Sequence, residues 1–181
     1  MTGRRMPRST GPEDVRNVYE LAPPGAPALD LGCGAGEPIA RALIERGHPV
    51  TGVDFAAAMI AIARGRFPDQ TWIEGDMRDL DLGRRFGLAV AWDSFFHLSR
   101  EDQRAAIPIF ARHLDPGGGL LFTSGPADGE AIGAVDGRPV YHASLAPAAY
   151  AALLEASGLN LRAFVAEDPA CGRSVWLAQR A

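Results

Sequence analysis

The chain has 181 residues, of which 47% are hydrophobic and 22% charged, so it can bury one compact core and global disorder is excluded. Its formal net charge of −4 argues against a nucleic-acid-binding surface, and no apolar run reaches the roughly 20 residues that a membrane-spanning helix needs. Cys33 and Cys171 belong to no CxxC or Cys/His cluster, so neither a metal site nor a disulfide framework is expected. We expect one cytoplasmic domain over residues 1–181. No pattern in the sequence indicates an oligomeric state.

Strand-like and helix-like segments alternate along most of the chain. Residues 1–12 are expected to be poorly ordered, and a short helix is predicted at 13–21. Strands are predicted at 28–31, 50–53, 71–74, 88–92, 119–124, 159–165 and 174–177, and longer helices at 37–46, 56–66, 101–113 and 147–156. This alternation predicts an α/β fold, a doubly wound parallel sheet with helices on both faces. The glycine-rich segment 125–146 is predicted to be a loop.

The strongest motif lies where the first predicted strand ends. Asp30 is followed by Leu31, and Gly32, Gly34 and Gly36 then alternate with Cys33 and Ala35 before a helical pattern begins. Such glycines permit a tight turn and let a ligand approach bare backbone. A dinucleotide-binding loop has the spacing GxGxxG, and Glu37 at its last position would repel a pyrophosphate. The loop therefore favours a ligand without phosphates, with a plain strand–turn–helix corner as the alternative.

Carboxylates follow the next two predicted strands. Asp54 ends the second strand, where it can accept hydrogen bonds from ribose hydroxyls or cap the following helix. Asp76 follows the third strand, where it can accept from an adenine amino group or serve as an ordinary turn residue. Because the carboxyl ends of parallel strands meet at one edge of a sheet, we expect these residues to surround one ligand.

With these elements in place, residues 28–181 resemble the class I S-adenosylmethionine-dependent methyltransferases, and Asp30-Leu31-Gly32-Cys33-Gly34-Ala35-Gly36 resembles the first motif of that family. The resemblance implies one Rossmann-like methyltransferase domain of about seven strands in the order 3-2-1-4-5-7-6, with one strand antiparallel. It implies S-adenosyl-L-methionine as cofactor. Asp30, Cys33 and the glycines would face its methionine part, and Asp54 would hold its ribose. Phe55 and Met59 would flank the adenine, and Asp76 with the Met77 backbone would bind the adenine edge.

The resemblance also implies methyl transfer by in-line displacement to a small-molecule acceptor. Members usually carry a longer N-terminal region that closes over the cofactor, so a non-catalytic binding or regulatory subunit stays an alternative. A nucleotide-dependent oxidoreductase of the same fold class is a further alternative. The acceptor atom, whether O, N, S or C, stays open at this point.

Residues after the fourth predicted strand are the candidates for catalysis. Trp92 or Phe96 could lie against the sulfonium by a cation–π contact. His97 is the leading general base, since an unperturbed histidine titrates near neutrality, and Asp93 is the second candidate. Packing or capping roles are the alternatives for both residues. The 125–146 loop is predicted to cover the acceptor pocket, with Glu130, Tyr141 and His142 as its polar candidates.

Overall fold

The computed structural model describes residues 21–135 and 137–181. The segment 1–12 and the short helix at 13–21, apart from Leu21, lie outside the described residues. In the described ranges the strands are β1 (Ala28–Leu31), β2 (Val50–Asp54), β3 (Thr71–Glu74), β4 (Phe86–Ala91), β5 (Leu114–Ser124), β6 (Gly129–Val135), β7 (Arg138–Ser144), β8 (Leu159–Asp168) and β9 (Arg173–Arg180). The α-helices there are α1 (Ile39–Glu45), α2 (Ala57–Arg66), α3 (Arg100–Arg112) and α4 (Pro147–Ala156), and a short 3-10 helix spans Phe95–His97.

Seven strands form one sheet in the order β3-β2-β1-β4-β5-β9-β8. Strands β1 to β5 pair in parallel, and β9 pairs antiparallel with both β5 and β8. With β6 and β7 set aside, this is the predicted order 3-2-1-4-5-7-6 with one antiparallel strand, so the predicted fold is confirmed. None of the helices in the described part of the chain is long and apolar enough to cross a bilayer.

Apolar side chains form a buried cluster on each face of the sheet, because successive strand residues point to opposite sides. On β1, Leu29 and Leu31 belong to the cluster that packs against α3 and α4. Ala28 belongs to the other cluster, which includes side chains of α1 and α2. The polar exception on β1 is Asp30, only 2% exposed, so the strand carries a carboxylate into the interior.

The prediction of a loop over 125–146 is wrong for most of that segment, because β6 and β7 pair as an antiparallel hairpin. Two glycines of this segment allow the hairpin to form. A Cβ on Gly133 would lie 2.8 Å from the His142 ring, and Gly137 turns the chain with a φ of 74°. Glycines are typical of loops, but in this segment Gly133 permits close approach of the two strands and Gly137 permits a tight turn between them.

Candidate active site

The glycine turn after β1 is fixed by backbone bonds to its neighbour β2. The N–H groups of Gly32 and Cys33 both donate to the Val53 carbonyl, at 2.8 and 3.1 Å. Gly32, Gly34 and Gly36 all have positive φ, at 72°, 52° and 83°, a conformation that glycine adopts without steric cost. A Cβ on Gly32 would lie 2.3 Å from Ser94 Cβ, whereas one on Gly34 would meet nothing within 4 Å. The turn is thus packed tightly on one side and open on the other.

Asp54 ties this turn to the start of α2. Its Oδ2 accepts from the Gly34 N–H at 2.8 Å, and its Oδ1 accepts from the Ala56 N–H at 2.9 Å. The N-cap of α2 is Ala56 and the helix has no side-chain cap, so the capping role considered for Asp54 is wrong, and its bond to the Ala56 N–H is a local turn bond. A carboxylate oxygen has a further lone pair, so Asp54 can still accept from a bound hydroxyl. Beside it, the side chain of Phe55 is 80% exposed and that of Met59 42%, which leaves an unusual apolar flank open to a ligand.

Asp30 lies behind the turn as a buried acid with an unpaired atom. Its Oδ2 has no hydrogen-bond partner among the described residues. Burial, and next the nearby Asp54 carboxylate, raise the pKa of Asp30 to about 7. Burial, and next the Asp30 and Asp54 carboxylates, raise the pKa of the Cys33 thiol far above its usual range, which disfavours the nucleophilic thiolate form.

Asp76, after β3, is held by an arginine that the sequence analysis did not single out. Arg78 Nε lies 2.9 Å from both carboxylate oxygens of Asp76, and Arg78 Nη2 lies 2.5 Å from Oδ2. Hydrogen bonding from Arg78 lowers the pKa of Asp76. The same guanidinium lies 3.6 Å from Asp102 at the start of α3, so it is shared between two carboxylates.

The segment after β4 is held in place by side-chain bonds to β1 and β5. Ser94 Oγ donates to the Leu31 carbonyl at 2.7 Å. Asp93 has a φ of 49°, unusual for a residue other than glycine, and its N–H donates to Thr123 Oγ1 at 2.9 Å. Its carboxylate accepts from Arg173 Nε at 3.3 Å. Backbone strain at a site edge, supported by neighbouring contacts, is typical of functional positions.

His97 ends the 3-10 helix and contacts the hairpin. Its Nδ1 lies 3.0 Å from the Tyr141 carbonyl oxygen. A carbonyl can only accept, so Nδ1 carries the proton and Nε2 of the neutral ring is the basic atom. The ring centroids of His97 and His142 are 4.9 Å apart. Burial, and next the proximity of His97 and Arg173, lower the pKa of His142.

Two cavities adjoin this segment. The first, which we call the strand-end cavity, has a volume of about 410 Å³ and is lined by Gly32, Val53, Asp54, Phe55, Gly75, Asp76, Met77, Arg78, Asp93, Ser94, His97 and Leu98. The second, the hairpin cavity, has a volume of about 310 Å³ and is lined by Phe96, Gly125, Pro126, Ala127, Gly129, Glu130, Ala131, His142, Ala143, Ser144, Gly172 and Arg173. Asp93 lines one cavity and Arg173 the other, so their ion pair lies between the two.

The structure brings seven of the predicted site residues together in the strand-end cavity: Gly32, Asp54, Phe55, Asp76, Met77, Asp93 and His97. Six others do not line it: Asp30, Cys33, Gly34, Gly36, Met59 and Trp92. Trp92 packs on the apolar cluster of the α1 and α2 face. Sequence reasoning missed Arg78 and Arg173. Arg78 lies two residues from a predicted site aspartate, so the motif could have drawn attention to it, whereas Arg173 carried no such signal.

Comparison with known proteins agrees with this geometry. The methyltransferase domain family matches residues 28–118, about half of the chain. The dTDP-3-amino-3,4,6-trideoxy-alpha-D-glucopyranose N,N-dimethyltransferase of Streptomyces venezuelae is 38% identical over 103 residues, which cover 56% of this chain and 43% of that protein. The dTDP-3-amino-3,6-dideoxy-alpha-D-glucopyranose N,N-dimethyltransferase of Streptomyces fradiae is 40% identical over 103 residues, which cover 56% and 40%. The match thus spans less than half the length of these curated relatives.

A solved structure extends the likeness to nearly the whole fold. The S-adenosylmethionine-bound amino pentose methyltransferase CalS10 from Micromonospora echinaspora superposes with a TM-score of 0.75 over 93% of this chain and 89% of that chain, at 23% sequence identity. At that identity the superposition shows the fold alone. The family match, the sheet order and the glycine turn together confirm the predicted resemblance and, with it, the donor that the family uses. The chain belongs to the class I S-adenosylmethionine-dependent methyltransferase family.

Proposed function

We propose that this protein transfers a methyl group from S-adenosylmethionine to a small-molecule acceptor. The observation that carries the proposal is the bond from the Gly34 N–H to Asp54 at 2.8 Å. A dinucleotide enzyme needs the amides of this turn for pyrophosphate, whereas here a carboxylate already accepts from one of them. Such a turn suits a ligand with hydroxyl and amino groups and a positive charge.

The carboxylates of the site support the same choice more strongly than the sequence argument did. Glu37, the residue expected to repel pyrophosphate, is exposed and paired with Arg41 at 2.5 Å, so its charge is largely compensated. The acids that would oppose a phosphate are instead Asp30, buried behind the turn, and Asp54, bonded to it. Arg78, the cation lining the strand-end cavity, is shared between Asp76 and Asp102.

The residues present fit the adenosyl donor. Asp54 would accept from the ribose hydroxyls through its remaining lone pairs, and the exposed Phe55 and Met59 would flank the adenine. Asp76 would accept from the adenine amino group, beside the Met77 backbone amide. Asp30 would offer its unpaired Oδ2 as a hydrogen-bonding atom, and the glycine turn would offer bare backbone, at the methionine end.

The donor, when bound, supplies an activated methyl group on a sulfonium, so the protein needs no nucleophile of its own. The chain's task is to align the acceptor, exclude water and accept a proton. His97 Nε2 is the proposed proton acceptor, because Nδ1 is committed to the Tyr141 carbonyl. Asp93, on the same cavity wall, would orient the acceptor through a hydrogen bond.

The acceptor is proposed to be a small metabolite that carries an amino group. Two relatives are named as N,N-dimethyltransferases of amino sugars, and the hairpin cavity beside His97 is of metabolite size. An amine attacks as the neutral base, so removal of its proton by a nearby imidazole would assist the reaction.

Calorimetric titration of the purified chain with S-adenosylhomocysteine, with NAD as the control ligand, tests the donor. We expect saturable binding of the adenosyl ligand and none of NAD. Binding of NAD alone would overturn the proposal in favour of an oxidoreductase.

A variant of His97 tests the proposed general base. His97→Ala should bind S-adenosylhomocysteine as the wild type does. It should transfer radiolabelled methyl at least about 100-fold more slowly to an acceptor found by screening amino metabolites, the usual contribution of a general base. Equal transfer by both proteins would leave His97 a packing residue.

A further inference from the structure

The hairpin cavity has a polar side that no motif assigned. Arg173, the first residue of β9, brings a guanidinium to a lining that is otherwise largely apolar. Its carbon atom Cζ lies 5.0 Å from the centroid of the Phe96 ring, whose face supports the cation. An arginine held in this way in a concave, mostly apolar site is suited to recognising a planar pair of oxygens.

Most of the donor capacity of Arg173 is not used by its neighbours. Nε reaches a single oxygen of Asp93 at 3.3 Å, and Nη1 lies 3.4 Å from the Gly172 carbonyl oxygen. Both distances are long for hydrogen bonds of a guanidinium. Nη2 makes no hydrogen bond within residues 21–135 and 137–181. The edge formed by the two η nitrogens is therefore available for a bidentate contact.

The other polar groups of the cavity are already engaged or neutral. Glu130 is paired with Arg100 at 3.4 Å. The Ser144 hydroxyl donates to the Ala143 carbonyl and accepts from the Gly125 N–H. Burial, and next His97 and Arg173, lower the pKa of His142, which favours the neutral imidazole, and that form still donates one N–H. A ligand in this cavity thus meets one guanidinium with free donors and one imidazole beside it.

We propose that Arg173 and His142 bind an oxyanion of the acceptor, a phosphate or a carboxylate, within the hairpin cavity. This assignment rests on the proposed function, because it names the chemistry of the acceptor for that site. An anion on the η nitrogens shares the guanidinium with Asp93, which accepts from Nε, so the two negative charges repel each other across Arg173. The acceptor's charged end and its methylated atom therefore occupy the two sides of the Asp93–Arg173 pair.

Titration with inorganic pyrophosphate and, separately, with acetate at constant ionic strength tests the site without the donor. The readout is the imidazole NMR signal of His142, assigned with His142→Gln. We expect a saturable shift in the wild type, with pyrophosphate stronger if the site takes phosphate and acetate stronger if it takes carboxylate. Arg173→Gln should weaken binding at least about tenfold, the scale of one lost charge-assisted contact. Arg162→Gln, an exposed arginine on β8, is the matched control and should bind as the wild type does.

The variant Asp93→Asn distinguishes two roles of Arg173: binding an anion, or only holding Asp93 in a structural ion pair. If Arg173 serves the anion, removing the nearby negative charge of Asp93 strengthens pyrophosphate binding, so Asp93→Asn and Arg173→Gln move in opposite directions. If Arg173 only holds Asp93, both variants respond alike, and that result overturns the proposal, as does an unchanged response in Arg173→Gln.

Should Arg173→Gln fold poorly, Arg173→Lys keeps the charge and should give an intermediate affinity. Normal binding of S-adenosylhomocysteine with no anion response would overturn this assignment alone, whereas an anion response without adenosyl binding would overturn the proposed function alone.

Discussion

The two cavities differ in where their residues come from. Every residue lining the strand-end cavity lies within the 28–118 segment that matches the methyltransferase domain family. Of the residues lining the hairpin cavity, only Phe96 does; the rest come from β6, β7 and the segment before β6, and from Gly172 and Arg173 at the start of β9. The difference teaches that the strand-end cavity, the proposed donor side, lies within the segment that the family model matches, whereas the hairpin cavity, the proposed acceptor side, lies mostly beyond that match.

Substitution of Gly32 is expected to have the largest effect on stability and ligand binding at the donor side. Gly32→Ala places a Cβ 2.3 Å from Ser94 Cβ at a φ of 72°, so both a clash and backbone strain result. We expect the free energy of unfolding to fall by about 4 kcal/mol and binding of S-adenosylhomocysteine to be lost. Thermal denaturation and calorimetry measure the two effects. Gly34→Ala meets no neighbour within 4 Å and should cost only about 1–2 kcal/mol of strain. Equal effects would contradict the steric account.

Gln103 joins the two cavities, and its loss should loosen both. It is fully buried, and its Nε2 donates to the carbonyls of Leu98 and Ala143, each at 2.9 Å. Its Oε1 accepts from the Tyr150 hydroxyl. Gln103→Leu removes these three hydrogen bonds, so we expect a loss of about 3 kcal/mol in unfolding free energy.

The measurement for Gln103 is thermal denaturation combined with hydrogen exchange of the β6 and β7 amides. Gln179→Leu is the matched control, because its amide makes a single bond at 2.8 Å to the Gly117 carbonyl and should cost about 1 kcal/mol. Faster exchange in β6 and β7 is expected for Gln103→Leu alone. Unchanged exchange would show that Gln103 does not hold the hairpin.

The buried Asp30 makes the unfolding free energy of the chain depend on pH. Its pKa is about 7 in the folded chain against 3.8 when exposed, so the folded chain holds a proton that the unfolded chain releases. The unfolding free energy therefore decreases as pH rises from about 4 to about 7 through this group. Asp30→Asn removes the effect.

The expected gain for Asp30→Asn is about 4 kcal/mol over the wild type near pH 8 and almost nothing near pH 3, below both pKa values. Thermal denaturation across this range, with the exposed Asp69→Asn as control, makes the measurement. A stability difference independent of pH would contradict the buried-acid account.

The sequence predicted the donor side because its residues follow strand ends in one short motif after another. Asp54 and Asp76 needed only the rule that parallel strands deliver their carboxyl ends to one edge. Trp92 shows that the rule depends on the exact residue at which a strand ends. It was predicted to reach the sulfonium, but β4 ends at Ala91, and Trp92 packs with Val90 on the opposite face. Alternation along a strand makes a one-residue difference decisive.

The acceptor side could not be predicted in the same way. His142 and Arg173 are 31 residues apart in sequence, and they share a cavity only because the hairpin and β9 flank the same 3-10 helix. The hairpin itself was hidden by glycines that are equally typical of loops. Glu130 and His142 were recognised as polar candidates of that segment, while Tyr141 contributes its backbone carbonyl.

The most direct test of the two-cavity account is titration of S-adenosylhomocysteine into Asp54→Asn and Arg173→Gln side by side. The account predicts that Asp54→Asn weakens binding about 30-fold, which corresponds to about 2 kcal/mol, the scale of charge-assisted bonds to a sugar diol. It predicts that Arg173→Gln binds within about twofold of the wild type, because that side chain lines the other cavity. Equal weakening in both variants, or weakening in Arg173→Gln alone, would contradict the separation of donor and acceptor sites.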